Sequence, residues 1–188
     1  MKLFSPLSYL RIKHEEKSWY DYKIPLLISL IITIAYHYHA NKVSLIETNG
    51  LLLQVNGLLQ VLIGFYIAAL AAVATFSSAS IDEVMAGDPP TLVEKFRGHK
   101  IAVELTRRRF VCYLFGYLAL VSFMLFCLGM ISILVGKPFH SWLLTFWSQD
   151  TILWLKTVFV GGYLFLLMNI ITTTLLGLYF LAVRFHQS

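Results

Sequence analysis

The sequence predicts an all-α integral membrane fold of four helices, arranged as two helical hairpins joined by a cytoplasmic helical hairpin. Three observations predict it. Of the 188 residues 58% are hydrophobic and only 13% charged, where a soluble domain carries about 25% charged residues. The apolar residues gather into four long stretches. The basic residues gather into every second connection between those stretches, which is how a chain threaded through a bilayer distributes lysine and arginine.

The segment from Met1 to Lys23 mixes aromatic and charged residues, with Arg11, Lys13, Glu15, Glu16 and Lys17 in its middle. A cleaved signal peptide has a basic start, one short apolar run and a small-residue cleavage site. The first helix is therefore expected to remain as an anchor. The first stretch runs from Ile24 to Ala40 and opens on Pro25, where a missing backbone donor costs nothing. The others run from Leu51 to Phe76, Phe110 to Val135 and Thr151 to Val183. A crossing needs about 20 residues, so the first is short and the others have length to tilt or protrude. Together they make a single membrane domain over residues 1–188.

Of the fifteen lysines and arginines, twelve lie in the N-terminal segment, between the second and third stretches, and at the C-terminal end. The other connections hold Lys42 and Lys137, with Lys156 early in the fourth stretch. Both termini and the 77–109 loop are accordingly expected in the cytoplasm, across a bacterial inner membrane. Trp142, Trp147 and Trp154 mark the outer interface, and Trp19 and Tyr20 the inner one. Lys156 is expected to extend its ammonium to the headgroups.

Within the loop, Asp88-Pro89-Pro90-Thr91 reads as a helix start, with a capping carboxylate before proline. Apolar Leu92, Val93, Phe96, Val103 and Leu105 alternate with charged residues after it, and Gly98 is the expected break. This predicts two helices that continue the second and third spans below the membrane. Arg107-Arg108-Arg109 closes the loop and is expected to anchor anionic lipid or to dock an acidic partner. Five acidic residues in the same loop leave its net charge at about +1, which disfavours direct nucleic-acid binding.

On the second span, Gly57, Gln60, Gly64, Ala68, Ala71 and Thr75 recur every three or four residues and share one helix face. Small residues let helix backbones approach closely in lipid. Two readings are open: a packing seam inside one four-helix unit, or the seam of an oligomer or wall of a pore. Gln54, Asn56 and Gln60 are amides that should face protein or water. Asn169, Thr173 and Gly177 share a face of the fourth span, and Gly116, Ala119 and Ser122 of the third; both sets read as packing.

Several chemistries are absent from the pattern. There is no phosphate-binding glycine loop, no His-Glu-x-x-His and no Gly-x-Ser-x-Gly, so an enzyme is not expected. No acidic residue falls inside the four stretches, which disfavours ion-coupled transport. Cys112 and Cys127 are fifteen positions apart on one predicted helix, about 22 Å, too far for a disulfide. His37 and His39 point to different helix faces, so no metal site is expected, and no cofactor or small-molecule substrate is indicated.

The layout resembles the small membrane subunits of bacterial antiviral defence systems, namely the four-helix membrane protein of Kiwa-type systems and retron-associated membrane effectors. The resemblance rests on the basic-aromatic start around Arg11 to Lys23, the Gly/Ala-rich second span, and the loop ending in Leu105-Thr106-Arg107-Arg108-Arg109-Phe110. It implies a homo-oligomer in the inner membrane, acting as a sensor or effector, with a cytosolic protein or nucleoprotein partner docking at the loop. The alternatives are a small channel or transporter, and a structural subunit of a membrane complex.

Overall fold

The computed structural model describes residues 2–12, 17–39, 44–47, 50–75, 81–84, 89–96, 99–179 and 181–182. The chain is mostly helical. A 3-10 segment, Lys2–Arg11, precedes a π-helical turn, Trp19–Lys23, which runs directly into α1, Ile24–His39. Helix α2 follows at Leu51–Thr75, then strands β1, Thr91–Phe96, and β2, His99–Glu104, then α3, Arg107–Leu143, and α4, Gln149–Tyr179.

Helices α2, α3 and α4 are each long and apolar enough to cross a membrane. Their outward faces carry large apolar side chains with nothing packed on them, including Val61 and Ile67 of α2, Ile131 and Leu134 of α3, and Val158 and Leu175 of α4. Apolar faces this continuous are not tolerated in water on a monomer. Helix α1 has 16 residues, about 24 Å, and also bares Leu26, Leu27, Leu30 and Ile31. The π-helical turn before it brings the uninterrupted helical run to about 30 Å, near the thickness of a hydrocarbon core.

Of the two expected hairpins, α3/α4 is formed, whereas α1 packs on α4 and not mainly on its chain neighbour α2. The main pairs are α2 with α3, α1 with α4, and α3 with α4. Both of the first two pairs are antiparallel. Arg108 meets the Val73 carbonyl at one end of α2/α3, and Asn56 meets Gly129 at the other. Asp21 meets Asn169 at one end of α1/α4, and His37 meets Thr157 at the other. The reason lies in which residues each helix buries. Leu52, Val55, Leu59, Tyr66 and Val73 give α2 a bulky stripe that fills against Leu114, Phe115, Leu118 and Leu125 of α3 in one core. Helix α1 buries only Pro25, Ser29 and Tyr36, a narrow strip that suits the close approach at Gly161, whose Cβ position lies 3.3 Å from Thr33.

The connection between α2 and α3 departs from the expected helical hairpin. Thr91–Phe96 and His99–Glu104 form a two-stranded antiparallel sheet with Leu92 opposite Val103 and Phe96 opposite His99. The period of two in Ile101, Val103 and Leu105, with β-branched Thr91, Val93, Ile101 and Val103 in the two strands, suits a pleated ribbon better than a helix. Asp88, the expected cap, and Gly98, the expected break, lie outside the described residues. Leu92 and Leu105 are buried with Ile81, which seats the hairpin's base on the bundle. An antiparallel bridge between Val84 and Thr106 and a bond from Leu105 N to the Pro90 carbonyl (3.0 Å) complete that base.

The N-terminal 3-10 segment lies against α3. Pro6 packs on Gly116, whose Cβ position would be 3.5 Å away. Leu7 lines a small apolar hollow with Met124, Leu125 and Leu128. The segment thus folds back along the bundle instead of running away from it.

Candidate functional site

The densest polar site in the described residues sits where the π-helical turn meets α3 and α4. Its origin is Pro25. Proline has no N–H, so the carbonyl four residues back (Asp21) and the one five back (Tyr20) both lose a helical donor. At this point Ile24 N–H bonds to the Trp19 carbonyl in the π register. Two side chains of α4 take up the orphaned carbonyls. Asn169 Nδ2 donates to Asp21 O at 2.7 Å, and Thr172 Oγ1 lies 2.9 Å from Tyr20 O, its one hydrogen shared between that carbonyl and the Met168 carbonyl of its own helix, also at 2.9 Å. A backbone irregularity in an apolar surrounding survives only where neighbouring groups satisfy it.

The side chain of Asp21 is fully buried in the same place. Its carboxylate accepts from Tyr9 Oη at 3.2 Å and from Thr173 Oγ1 at 3.4 Å. Lys17 Nζ lies 3.0 Å from Oδ2, one helical turn away in sequence. The same ammonium sits 4.3 Å from the centre of the Tyr9 ring, a cation–π geometry. Tyr9 stacks on Tyr117 at 4.9 Å, and Tyr117 Oη donates to Asn169 Oδ1 at 2.8 Å. Burial, and then the Asp21 carboxylate, push the Tyr9 phenol well above its ordinary pKa, so it remains a donor. Asn169 thus bridges two elements, and Asp21 binds three: the 3-10 segment, its own turn and α4.

Asp21 and Tyr9 were not singled out by sequence reasoning, which placed both in a solvated N-terminal segment. The available signal was Lys17 and Asp21 at a spacing of four immediately before an apolar run. Asn169, Thr173 and Gly177, expected to pack, are all buried; Gly177 faces Leu114, with its Cβ position 2.8 Å from Cδ2.

The arginine triplet lies at the hairpin base. Thr106 caps α3 by accepting from Arg109 N at 3.4 Å, and Arg107 N donates to the Glu83 carbonyl at 3.1 Å. Arg108 makes a fork on Asp82, with Nε to Oδ1 at 2.7 Å and Nη2 to Oδ2 at 3.1 Å. Its Nη1 donates to the Val73 carbonyl at 3.1 Å. One side chain therefore joins the end of α2, the start of α3 and the loop between them. Arg108 is committed to that joint; Arg107 and Arg109 are half-buried beside it.

Gly57, Gln60, Gly64, Ala68, Ala71 and Thr75 all lie on the exposed side of α2, opposite the stripe that packs on α3. A Cβ added at Gly57 or Gly64 would meet nothing within 4 Å. Among the described residues, nothing of the same copy packs on this face at Gly57 or Gly64. Of the amides, Asn56 is buried and accepts from Tyr163 Oη at 3.3 Å, whereas Gln54 and Gln60 point outward.

At the other end of the bundle, Lys156 is half-buried, and its Nζ lies 3.4 Å from His140 Nε2. His37 bonds to Thr157 and His39 to its own helix backbone, and no metal-ligating cluster occurs among the described residues. Cys112 and Cys127 are free thiols. No family model, curated protein or solved structure matches the chain.

Proposed function

We propose that this chain is an oligomeric inner-membrane sensor or effector of bacterial antiviral defence, whose β-hairpin docks a cytosolic protein or nucleoprotein partner. The observation that carries the reading is the two-sidedness of α2. One side is bulky and buried; the other is a stripe of glycine and alanine with Gln60 in it, open along its length. Gln60 stands about 14 Å along the helix from Leu51, deep in an apolar slab. An amide there needs a partner that one copy does not supply, and small residues are what close helix–helix approach in lipid requires. A second copy of α2 provides both.

In this reading the chain crosses four times, the helical run ending at His39 being the first crossing, with both termini and the hairpin cytoplasmic. The distribution of basic residues supports that orientation. Arg108 supplies the transmission. A partner that displaces the hairpin pulls on Asp82 and, through the same guanidinium, on the last turn of α2. The layout resemblance supports the defence setting. A channel or a structural subunit are the alternatives, and they differ in whether the bilayer leaks on activation.

The test is assembly and leakage together. Gly64→Leu and Ala68→Leu are expected to reduce the oligomer mass in detergent and to abolish entry of a membrane-impermeant dye after induced expression. Unchanged mass and unchanged dye entry in both variants would overturn the proposal. A scaffold role would appear as an intact oligomer with no dye entry in the wild type.

A further inference from the structure

At the end of the bundle away from the hairpin, the C-terminal turn of α1, the upper part of α3 and the first two turns of α4 enclose a cavity of about 620 Å³. Its inner wall is apolar, formed by Tyr36, Ile46 and Ile152. Its polar side carries Lys137, His140 and Lys156. That volume suits a small organic molecule or the headgroup and first carbons of an amphiphile.

The electrostatics of the cavity are incomplete. Among the described residues, neither Lys137 nor Lys156 forms an ion pair with a carboxylate. The Lys156 ammonium has donors only, so His140 Nε2, 3.4 Å away, must accept from it. That fixes the imidazole proton on Nδ1, and Nδ1 is buried with no hydrogen-bond partner. The half-buried Lys156 ammonium and the His140 ring therefore stand side by side on one wall, Nδ1 itself having no accessible surface. An unpaired charge or donor held away from water is costly. Glu47 and Asp150 also line the cavity, but both are exposed, whereas Lys156 and His140 lie deeper.

We infer that this cavity binds an anionic group, a phosphate or a carboxylate, that accepts from Lys156 and lies against His140, with Lys137 at its mouth. The apolar wall and the surrounding Trp142, Trp147 and Trp154, all exposed, fit a ligand with an apolar part, because tryptophans gather at headgroup level. The same chemistry is offered by an anionic lipid headgroup and by a free phosphate. The site is independent of the α2 seam and of the hairpin.

The experiment is native mass spectrometry of the detergent-purified full chain, titrated in turn with short-chain phosphatidylglycerol, short-chain phosphatidylcholine and inorganic phosphate. The wild type is expected to take up one anion per chain saturably. Lys156→Gln is expected to weaken uptake at least tenfold and Lys156→Arg to keep most of it. Uptake of phosphatidylglycerol but not phosphate assigns the site to a headgroup, and uptake of both assigns it to phosphate as such. Lys23→Gln, at the opposite end of the bundle, should bind as the wild type does, and thermal melting reports whether each variant is folded. Equal uptake by the wild type and folded Lys156→Gln, uptake of phosphatidylcholine as strong as that of phosphatidylglycerol, or no saturable uptake at millimolar concentration would overturn the inference.

Discussion

Replacing Asn169 by leucine isolates the polar joint at Pro25. Leucine keeps the branched four-atom shape, though it is bulkier, and removes two hydrogen bonds; any overpacking adds to the loss. The Asp21 carbonyl loses its 2.7 Å donor, and Tyr117 Oη loses its 2.8 Å acceptor. Hydrogen bonds between membrane helices average about 0.6 kcal/mol and reach about 1.7. A buried group left without a partner costs about 1–3 kcal/mol. Two such groups put the expected loss at about 2 kcal/mol, roughly a thirtyfold change in the folded ratio. Reversible unfolding in mixed micelles, or steric trapping, measures it. Pro25→Ala sharpens the assay, because alanine restores an N–H four residues after Asp21. In that background the Asp21 carbonyl regains a helical donor, so Asn169→Leu should cost about half as much. A loss below about 0.5 kcal/mol for Asn169→Leu, or an equal loss with and without Pro25, would refute the assignment of Asn169 to the proline-freed carbonyl.

Three further tests follow from the same geometry. Lys17→Met leaves the fully buried Asp21 without its cation; breaking one side of a buried pair costs about 3–5 kcal/mol, and Lys17→Met with Asp21→Leu should recover much of it in the same unfolding assay. Gly129→Ala pushes a methyl into Asn56 Oδ1 and the Tyr163 hydroxyl and should cost about 1–3 kcal/mol, whereas Gly57→Ala, facing open space, should leave the fold of a single copy unchanged. Arg108→Ala removes the fork on Asp82 and the bond to Val73; protease sensitivity should rise at residues near Asp82, with α2 and α3 still protected.

The helices were legible because apolar runs of this length leave little choice in a bilayer; the ends of α2 and α4 fall within a few residues of the expected positions, whereas α3 runs eight residues past Val135. Helix pairing was legible only in part: α3 pairs with α4 as expected, but α1 packs on α4 and α2 on α3. Each helix of such a chain is apolar all round, so composition alone does not say which side faces protein. The stripe on α2 shows the difficulty: Gly64 and Ala68 look alike as an inner seam or an outer one, and only the bulky residues opposite them decide. The β-hairpin was hidden because only Ile101, Val103 and Leu105 keep a period of two, while Leu92, Val93 and Phe96 are spaced as on a helix face. The polar joint was hidden for a third reason. Asp21, Tyr9 and Lys17 lie in a charged, aromatic segment that reads as solvated, and their burial depends on Asn169, almost 150 positions away. Pro25 was read as harmless at a helix start, but helical turns precede it, and its missing donor then has consequences.

Disulfide trapping at the open face of α2 in native membranes addresses self-association without purification. In a background where Cys112 and Cys127 are serine, single cysteines would replace Gly57, Gly64 or Ala68, with Leu134 of α3, also exposed, as the control. Rapid oxidant-dependent dimers at Gly64 and Ala68, and none at Leu134, are the expected result. Dimers that form no faster at those α2 positions than at Leu134 would contradict an assembly built on this face.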